Sequence, residues 1–384
     1  MSRLTQINRW LLGLVLALLP TYLVRFTIFG LPTTLLEIIL AIFLLAVFFT
    51  HPRSLVAELK KLGPANLAII AFVLAGIIST IISPEPIKAL GQLKAFIIEP
   101  VLFFYACVLI LRKESDLKLP LTLLSLSILV ISLFGLIQYV TLLGLPLRFW
   151  GFGEGVKRIV SVFEYPNALA LYLGPLLAFF LALIYSKSTL INRKLLFWTT
   201  GLGLIALILT FSRGAWLAVL VVLAILAAKK IPWKIVVPFL ALAITAAALL
   251  YPGKQILTDP SASARLELYK YSARAVLQSP ILGNGLSGFR HTLESMQFKQ
   301  EVLNYPHNIF LNFWLELGML GLLSFFFLIL VCLKQHKLKP TPLRLAAAMF
   351  LVTIVVHGLV DVPYFKNDLS ILFWFMISLF YIKN

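Results

Sequence analysis

Charge is scarce in this sequence. Asp, Glu, Lys and Arg make up 12% of 384 residues, about half the share an ordinary soluble domain carries. Acid is scarcer still, at 15 residues against 33 Lys and Arg. With 61% hydrophobic residues and a mean hydropathy of +0.99, this excludes a soluble globular enzyme, a disordered chain and a fibrous protein. Cysteine is nearly absent. Cys107 and Cys332 lie inside apolar runs without partners at metal-ligand spacing, so both read as small core residues and no disulfide or metal site is expected. No Pro/Gly-rich linker, charge-rich soluble segment or convincing internal repeat interrupts the chain. Residues 1–384 therefore read as a single transmembrane domain, and a transporter built on two related halves is disfavoured.

What is present is long apolar runs. A spanning helix needs about 20 apolar residues. Candidate spans fall at 8–29, 33–50, 65–82, 95–111, 119–141, 166–186, 195–211, 214–228, 235–251, 307–333, 345–360 and 369–382. The runs are continuous, not alternating, which argues against a β-barrel. The expected fold is all-α: a polytopic transmembrane helical bundle of about 12 spans. Met1–Leu19 imitates a signal peptide, but Pro20-Thr21-Tyr22 offers no small-residue cleavage site. An uncleaved first helix is expected.

The charges divide unevenly. The termini and alternate connections hold 19 Lys and Arg against three acids (Glu58, Glu114, Asp116), and the remainder holds 14 against 12. By the positive-inside rule both termini are cytoplasmic. The overall +18 then reports topology and not nucleic-acid binding, for which no motif is present. The longest connection, 252–306, becomes an extracytoplasmic loop, with 142–165 and the Ser212-Arg213 turn on the same side.

Within that loop Asp259-Pro260-Ser261 reads as a helix start. Leu266, Tyr269, Ala273, Val276 and Leu277 follow at helical spacing, predicting an amphipathic helix that Ser279-Pro280 ends. Arg265 and Arg274 lie nine residues apart, on opposite faces. Either Arg265 points into the protein, or both sit in the headgroup layer. Gly283-Asn284-Gly285-Leu286-Ser287-Gly288 matches a dinucleotide pattern, but no strand or βαβ unit surrounds it, so it reads as a sharp turn.

Pro306 places His307 in the first turn of the tenth span, where the helix dipole favours a neutral ring. Such a His is either an interfacial cap or a general base. Glu316, nine residues further in, needs a partner, and Arg213 is one class of candidate. Arg25, Glu37 and Glu99 also fall near outer helix ends. Arg158 and Glu164 precede the sixth span, which Pro166-Asn167 could cap. Arg158, Arg213 and Arg265 near helix N-termini suit an anion, with a lipid phosphate or diphosphate the expected ligand.

These residues resemble the O-antigen ligase/polymerase superfamily. The resemblance rests on the His-Asn-x-x-Leu…Glu-x-Gly-x-x-Gly pattern between His307 and Gly321. Phe163-x-x-Pro166-Asn167-x-x-Ala170, Ser212-Arg213-Gly214, and Arg265 followed by Pro280-x-x-Gly283-x-Gly285 add to it, in family order. It implies a bacterial cytoplasmic (inner) membrane glycosyltransferase working on the periplasmic face. The glycan donor would be undecaprenyl-diphosphate-linked and the acceptor a glycolipid or glycan, as in lipopolysaccharide ligation or polysaccharide polymerisation, with no metal and no cofactor. Arg213 and Arg265 would bind the diphosphate, with Arg158 beside them. His307 would activate the acceptor hydroxyl, and Asn308, Glu316 and Asn167 would support the site. Membrane lipids are the other expected partners. The alternative is a transporter or flippase of lipid-linked sugars, which should carry charge near the bilayer midplane.

Overall fold

Inside a bilayer each backbone N–H and C=O must be paired within its own segment, so continuous apolar runs fold as helices. A computed structural model of the chain describes residues 3–28, 31–51, 62–151, 156–235, 238, 260–298 and 304–382. The candidate span 235–251 and much of 252–306 lie outside the described residues.

The helices are α1 (Arg3–Ala17), α2 (Leu35–Thr50), α3 (Pro64–Ile81), α4 (Pro86–Leu93), α5 (Glu99–Ile110), α6 (Lys118–Thr141) and α7 (Pro166–Tyr185). They continue with α8 (Arg193–Leu209), α9 (Arg213–Ala228), α10 (Pro260–Gln278), α11 (Gly288–Ser295), α12 (Ile309–Leu338), α13 (Pro342–His357) and α14 (Asn367–Ser378). A wide helical turn, Lys94–Ile98, joins α4 to α5. Five helical segments among the described residues are long and apolar enough to cross a membrane: Pro64–Ile81, Pro86–Ile110, Glu114–Thr141, Pro166–Tyr185 and Ile309–Leu338. Four further apolar helices are shorter.

The first apolar run is not one helix to residue 29. It ends at Ala17, passes through a 3₁₀ turn around Pro20, and enters an antiparallel hairpin of β1 (Arg25–Ile28) and β2 (Leu31–Thr34). Pro20 and the β-branched residues after it disfavour a continued helix. Thr34 and Glu37 then form a capping box that starts α2.

Packing runs α12 along α3, α13 along α7, α1 along α6 and α14 along α5. At the centre Phe313 stacks on Phe325 at 4.0 Å, against Phe72, Tyr364 and Trp374. The Tyr364 hydroxyl donates to the Phe96 carbonyl at 2.7 Å and accepts from Trp374 Nε1 at 3.0 Å. This fully buried ring anchors the connection between α13 and α14, which carries residues of the site. Cys107 and Cys332 are both buried free thiols.

Helix α12 is broken at Gly318, whose backbone (φ 68°, ψ −175°) is open to glycine alone. A Cβ there would stand 2.5 Å from the Ile281 carbonyl oxygen. The turn 279–287 fills the break: Met319 N–H donates to Ile281 at 2.9 Å and Asn284 N–H to the Leu315 carbonyl at 2.6 Å. Gly283 and Gly285, at φ 71° and 82°, approach the backbones of α12 and α3. The glycine-rich stretch is thus a wedge that repairs an interrupted helix.

Candidate functional site

A cavity of about 180 Å³ is lined by Arg158, Asn167, Ser212, Arg213, Arg265, His357 and Asp361, among others. Arg158 lies in the segment before α7, tied to the end of α8 by Ile159 N–H on the Leu209 carbonyl. Its Nε donates to the Thr210 carbonyl and its terminal nitrogen to Asn167 Oδ1, each at 2.8 Å. Asn167 therefore does not cap α7; its side-chain oxygen is engaged by Arg158, and Pro166 opens the helix without a side-chain cap.

The turn into α9 is forced tight by Phe211, at φ 49°, and exposes Arg213 as the first helical residue. Gly214 is required here. A Cβ would meet Val360 at 2.5 Å and the buried His357 ring at 3.0 Å. Arg265 enters from α10, half-buried, while Arg274 is exposed and lies over the Tyr271 ring at 5.5 Å. The two arginines do separate by face. The apolar face expected for this helix is rotated, however: Leu266 and Leu277 are exposed, and Leu268, Ser272, Ala275 and Val276 are buried. Small residues let α10 sit close to Phe289, Leu293 and Leu315, a packing advantage that hydropathy does not register.

His307 precedes α12 instead of opening it. Asn308 is the cap, its Oδ1 accepting from Phe310 and Leu311 N–H at 3.0 and 3.1 Å. His307 itself is left-handed at φ 49°, and Tyr269 of α10 donates its hydroxyl to the His307 carbonyl at 2.9 Å. Such backbone strain persists only where surrounding structure over-determines it. Nδ1 of His307 lies 3.2 Å from Asp361 Oδ1. Burial alone would raise the Asp361 carboxyl, but the His307 bond and charge, His357, and the Val362 N–H outweigh it and hold it at about 2. An ionised carboxylate only accepts, so Nδ1 carries a proton towards Asp361 and Nε2 points away from it. Asp361 is thus both a wall of the arginine cavity and the orienter of His307.

Glu316 stands apart from this cavity. Its partner is not an arginine: Oε2 accepts from Ser287 N–H at 2.6 Å, at the start of α11. A carboxylate among the unpaired amides of a helix start is satisfied without a cation. Glu37 pairs with Lys94 at 2.9 Å and Arg25 with Glu164 at 3.7 Å.

Sequence reasoning passed over Asp361 and His357. Both lie in His357-Gly-Leu-Val-Asp361, at the outer end of the eleventh apolar run by the charge assignment, and an acid just past an apolar run was the available signal. Among the described residues no group of His, Cys, Asp and Glu is placed to hold a metal ion.

Five helices among the described residues are long and apolar enough to cross a membrane, as in an integral membrane protein, and they frame an arginine-lined cavity beside a His–Asp pair. Residues 195–326, about a third of the chain, match the family model described as O-antigen ligase, a similarity that supports the O-antigen ligase superfamily. Similar curated proteins are each named "Putative polysaccharide ligase". Those of Rickettsia felis and Rickettsia typhi are 29% and 30% identical over 120 and 117 residues, 28% of this chain and 29% of each relative. That of Rickettsia conorii is 34% identical over 90 residues, 21% of this chain and 22% of the relative. The chain thus spans less than a third of the length of these relatives. The family match contains Arg213, Arg265 and His307; Arg158, Asn167 and Asp361 lie outside it.

Proposed function

We propose that this protein transfers a glycan from an undecaprenyl-diphosphate-linked donor to an acceptor hydroxyl, in lipid A-core ligation or polysaccharide polymerisation. The reaction runs on the outer face of a bacterial cytoplasmic membrane, which the chain crosses about twelve times with both termini inside. The observation that carries this reading is one cavity in which Arg158, Arg213 and Arg265 face a single carboxylate, Asp361, that in turn holds His307.

The donor diphosphate lies against the arginines and the first amides of α9, an arrangement suited to phosphate oxygens. Ser212 occupies the cap position of α9 without a side-chain hydrogen bond to those amides. His307 Nε2 takes the proton of the acceptor hydroxyl as its oxygen attacks the anomeric carbon. The bond from that carbon to the diphosphate oxygen breaks, and its electron pair leaves on the diphosphate, which the arginines neutralise. Attack from the opposite side inverts the anomeric centre. Asp361 stabilises the imidazolium that forms, as the acid of a catalytic triad does. The released lipid diphosphate carries away the charge, and His307 returns its proton to solvent.

The test is transfer by the protein reconstituted in lipid, with a purified lipid-diphosphate-linked glycan and a set of acceptors, with and without EDTA. Transfer undiminished by EDTA is expected. No transfer to any acceptor refutes the reading, and loss of transfer in EDTA refutes its metal-free form.

A further inference from the structure

A second cavity, of about 360 Å³, lies between the β1–β2 hairpin and the α4 helix, and nothing in the proposed chemistry so far uses it. Its charge pattern differs from that of the arginine cavity. Each of its cations faces a carboxylate: Lys94 on Glu37 at 2.9 Å, Arg25 on Glu164 at 3.7 Å, and Lys88 on Glu85. Of these carboxylates only Glu37 lines the cavity; Glu164 and Glu85 pair with Arg25 and Lys88 from outside the lining, so every cation of the wall has a carboxylate partner and little net field is left for an anion. Among these pairs sit amides and aromatic rings. Asn367 donates to Glu37 Oε1 at 3.1 Å, and the buried Gln92 Oε1 has no hydrogen-bond partner among the described residues. Phe26 and Phe96 supply ring surface. A buried acceptor left unpaired is costly unless a donor arrives, and neutral hydroxyl groups are donors that a charge-balanced wall does not repel. The mouth is apolar: Ile87 is 79% exposed and Leu90 on the same helix 58%.

The position is equally specific. Glu164, on the rim through Arg25, is three residues from Asn167 of the arginine cavity, and three residues span at most about 11 Å. A second strap, Asp361–Asn367, begins at the residue that holds His307 and ends in the wall of the second cavity. Tyr305, two residues before His307, donates its hydroxyl to the Phe365 carbonyl of that strap at 3.4 Å.

We infer that this second cavity binds the acceptor: a neutral, hydroxyl-rich glycan headgroup whose apolar anchor leaves over Ile87 and Leu90. The inference rests on the proposed transferase reading for the word acceptor, but not for the chemistry of the ligand. Donor diphosphate and acceptor sugar then occupy separate cavities, one rich in cations and one with each cation paired, and His307 is held by Asp361 at the start of the strap that joins them.

The test is protection of a cysteine in lipid nanodiscs. Ile87→Cys reports on the second cavity and Val360→Cys on the arginine cavity, with an impermeant maleimide; the two native cysteines are buried. The probes are octyl β-D-glucoside below its micellar concentration, octanol, and inorganic diphosphate. At ten times its Kd a ligand leaves about one site in eleven empty, so the glucoside should slow Ile87→Cys labelling roughly ten-fold and leave Val360→Cys unchanged. Gln92→Leu should weaken that protection several-fold, the effect of one lost hydrogen bond. Equal protection by octanol, protection of Ile87→Cys by diphosphate, or no protection by the glucoside would each overturn the assignment. A transfer assay separates the two readings. Gly91→Trp fills this cavity from a position where a Cβ meets nothing within 4 Å, and should raise the acceptor KM without changing that of the donor. An unchanged acceptor KM overturns the acceptor cavity while transfer stands. Absence of transfer by the parent protein, with glucoside protection intact, overturns the transferase reading and leaves the glycan cavity.

Discussion

Replacing Asp361 by Asn isolates the charge in the His307–Asp361 pair. Oδ1 of Asp361 takes both the His307 Nδ1 contact at 3.2 Å and the Val362 N–H at 2.9 Å. An amide that places its oxygen there keeps both contacts and the tautomer of His307, so the variant loses chiefly the negative charge. The magnitude follows from the ion pair that forms during the reaction. An imidazolium and a carboxylate about 4 Å apart attract by roughly 4 kcal/mol at the effective dielectric of a partly exposed site. The imidazolium exists only once the proton has moved, so this energy comes off the transition state. Single-turnover transfer should therefore slow by roughly two to three powers of ten, with donor affinity unchanged. The depressed carboxyl also stabilises the fold above its ordinary value of 3.8. That stability is lost as pH falls through about 2, and the Asn variant should lack this loss. A loss of rate under about three-fold, below 1 kcal/mol, or a loss confined to donor binding would refute the reasoning.

Four further outcomes are expected. Arg213→Ala and Arg265→Ala should each weaken donor binding strongly in a titration with lipid diphosphate, while Arg274→Ala, exposed over Tyr271, should have little effect. His307→Ala should lower turnover by about 10²–10⁴-fold with donor binding kept, as measured by single-turnover transfer and direct titration on the same folded sample. Gly318→Ala should destabilise the protein by at least about 1–3 kcal/mol from backbone strain alone, with the clash on Ile281 O adding to it, read as a lowered thermal midpoint. Cysteines placed at Lys230 and Lys337 should be shielded from an impermeant thiol reagent in intact cells, and one at Gln297 should react; labelling at Lys230 from outside would reverse the orientation.

Much of this protein was legible from residue order alone, because its strongest forces are local. Continuous apolar runs must pair their own backbone groups, so helices such as Pro166–Tyr185 and Ile309–Leu338 follow from hydropathy. The nine-residue spacing of Arg265 and Arg274 separates them by helical geometry. The motifs around Arg213 and His307 lie inside the segment that matches the O-antigen ligase family. Tertiary structure decided what depends on residues far apart in the chain. His307 and Asp361 are 54 positions apart and meet because Tyr364 and Phe365, buried in the aromatic core, pin the strap between α13 and α14. Glu316 finds an amide and not an arginine, because Gly318 breaks α12 and admits the wedge that carries Ser287. The buried face of α10 is chosen by how closely Ser272 and Ala275 let it approach α12. Hydropathy sums the properties of single residues, whereas these outcomes are set by shape and by which polar groups a packed neighbour leaves to be paired.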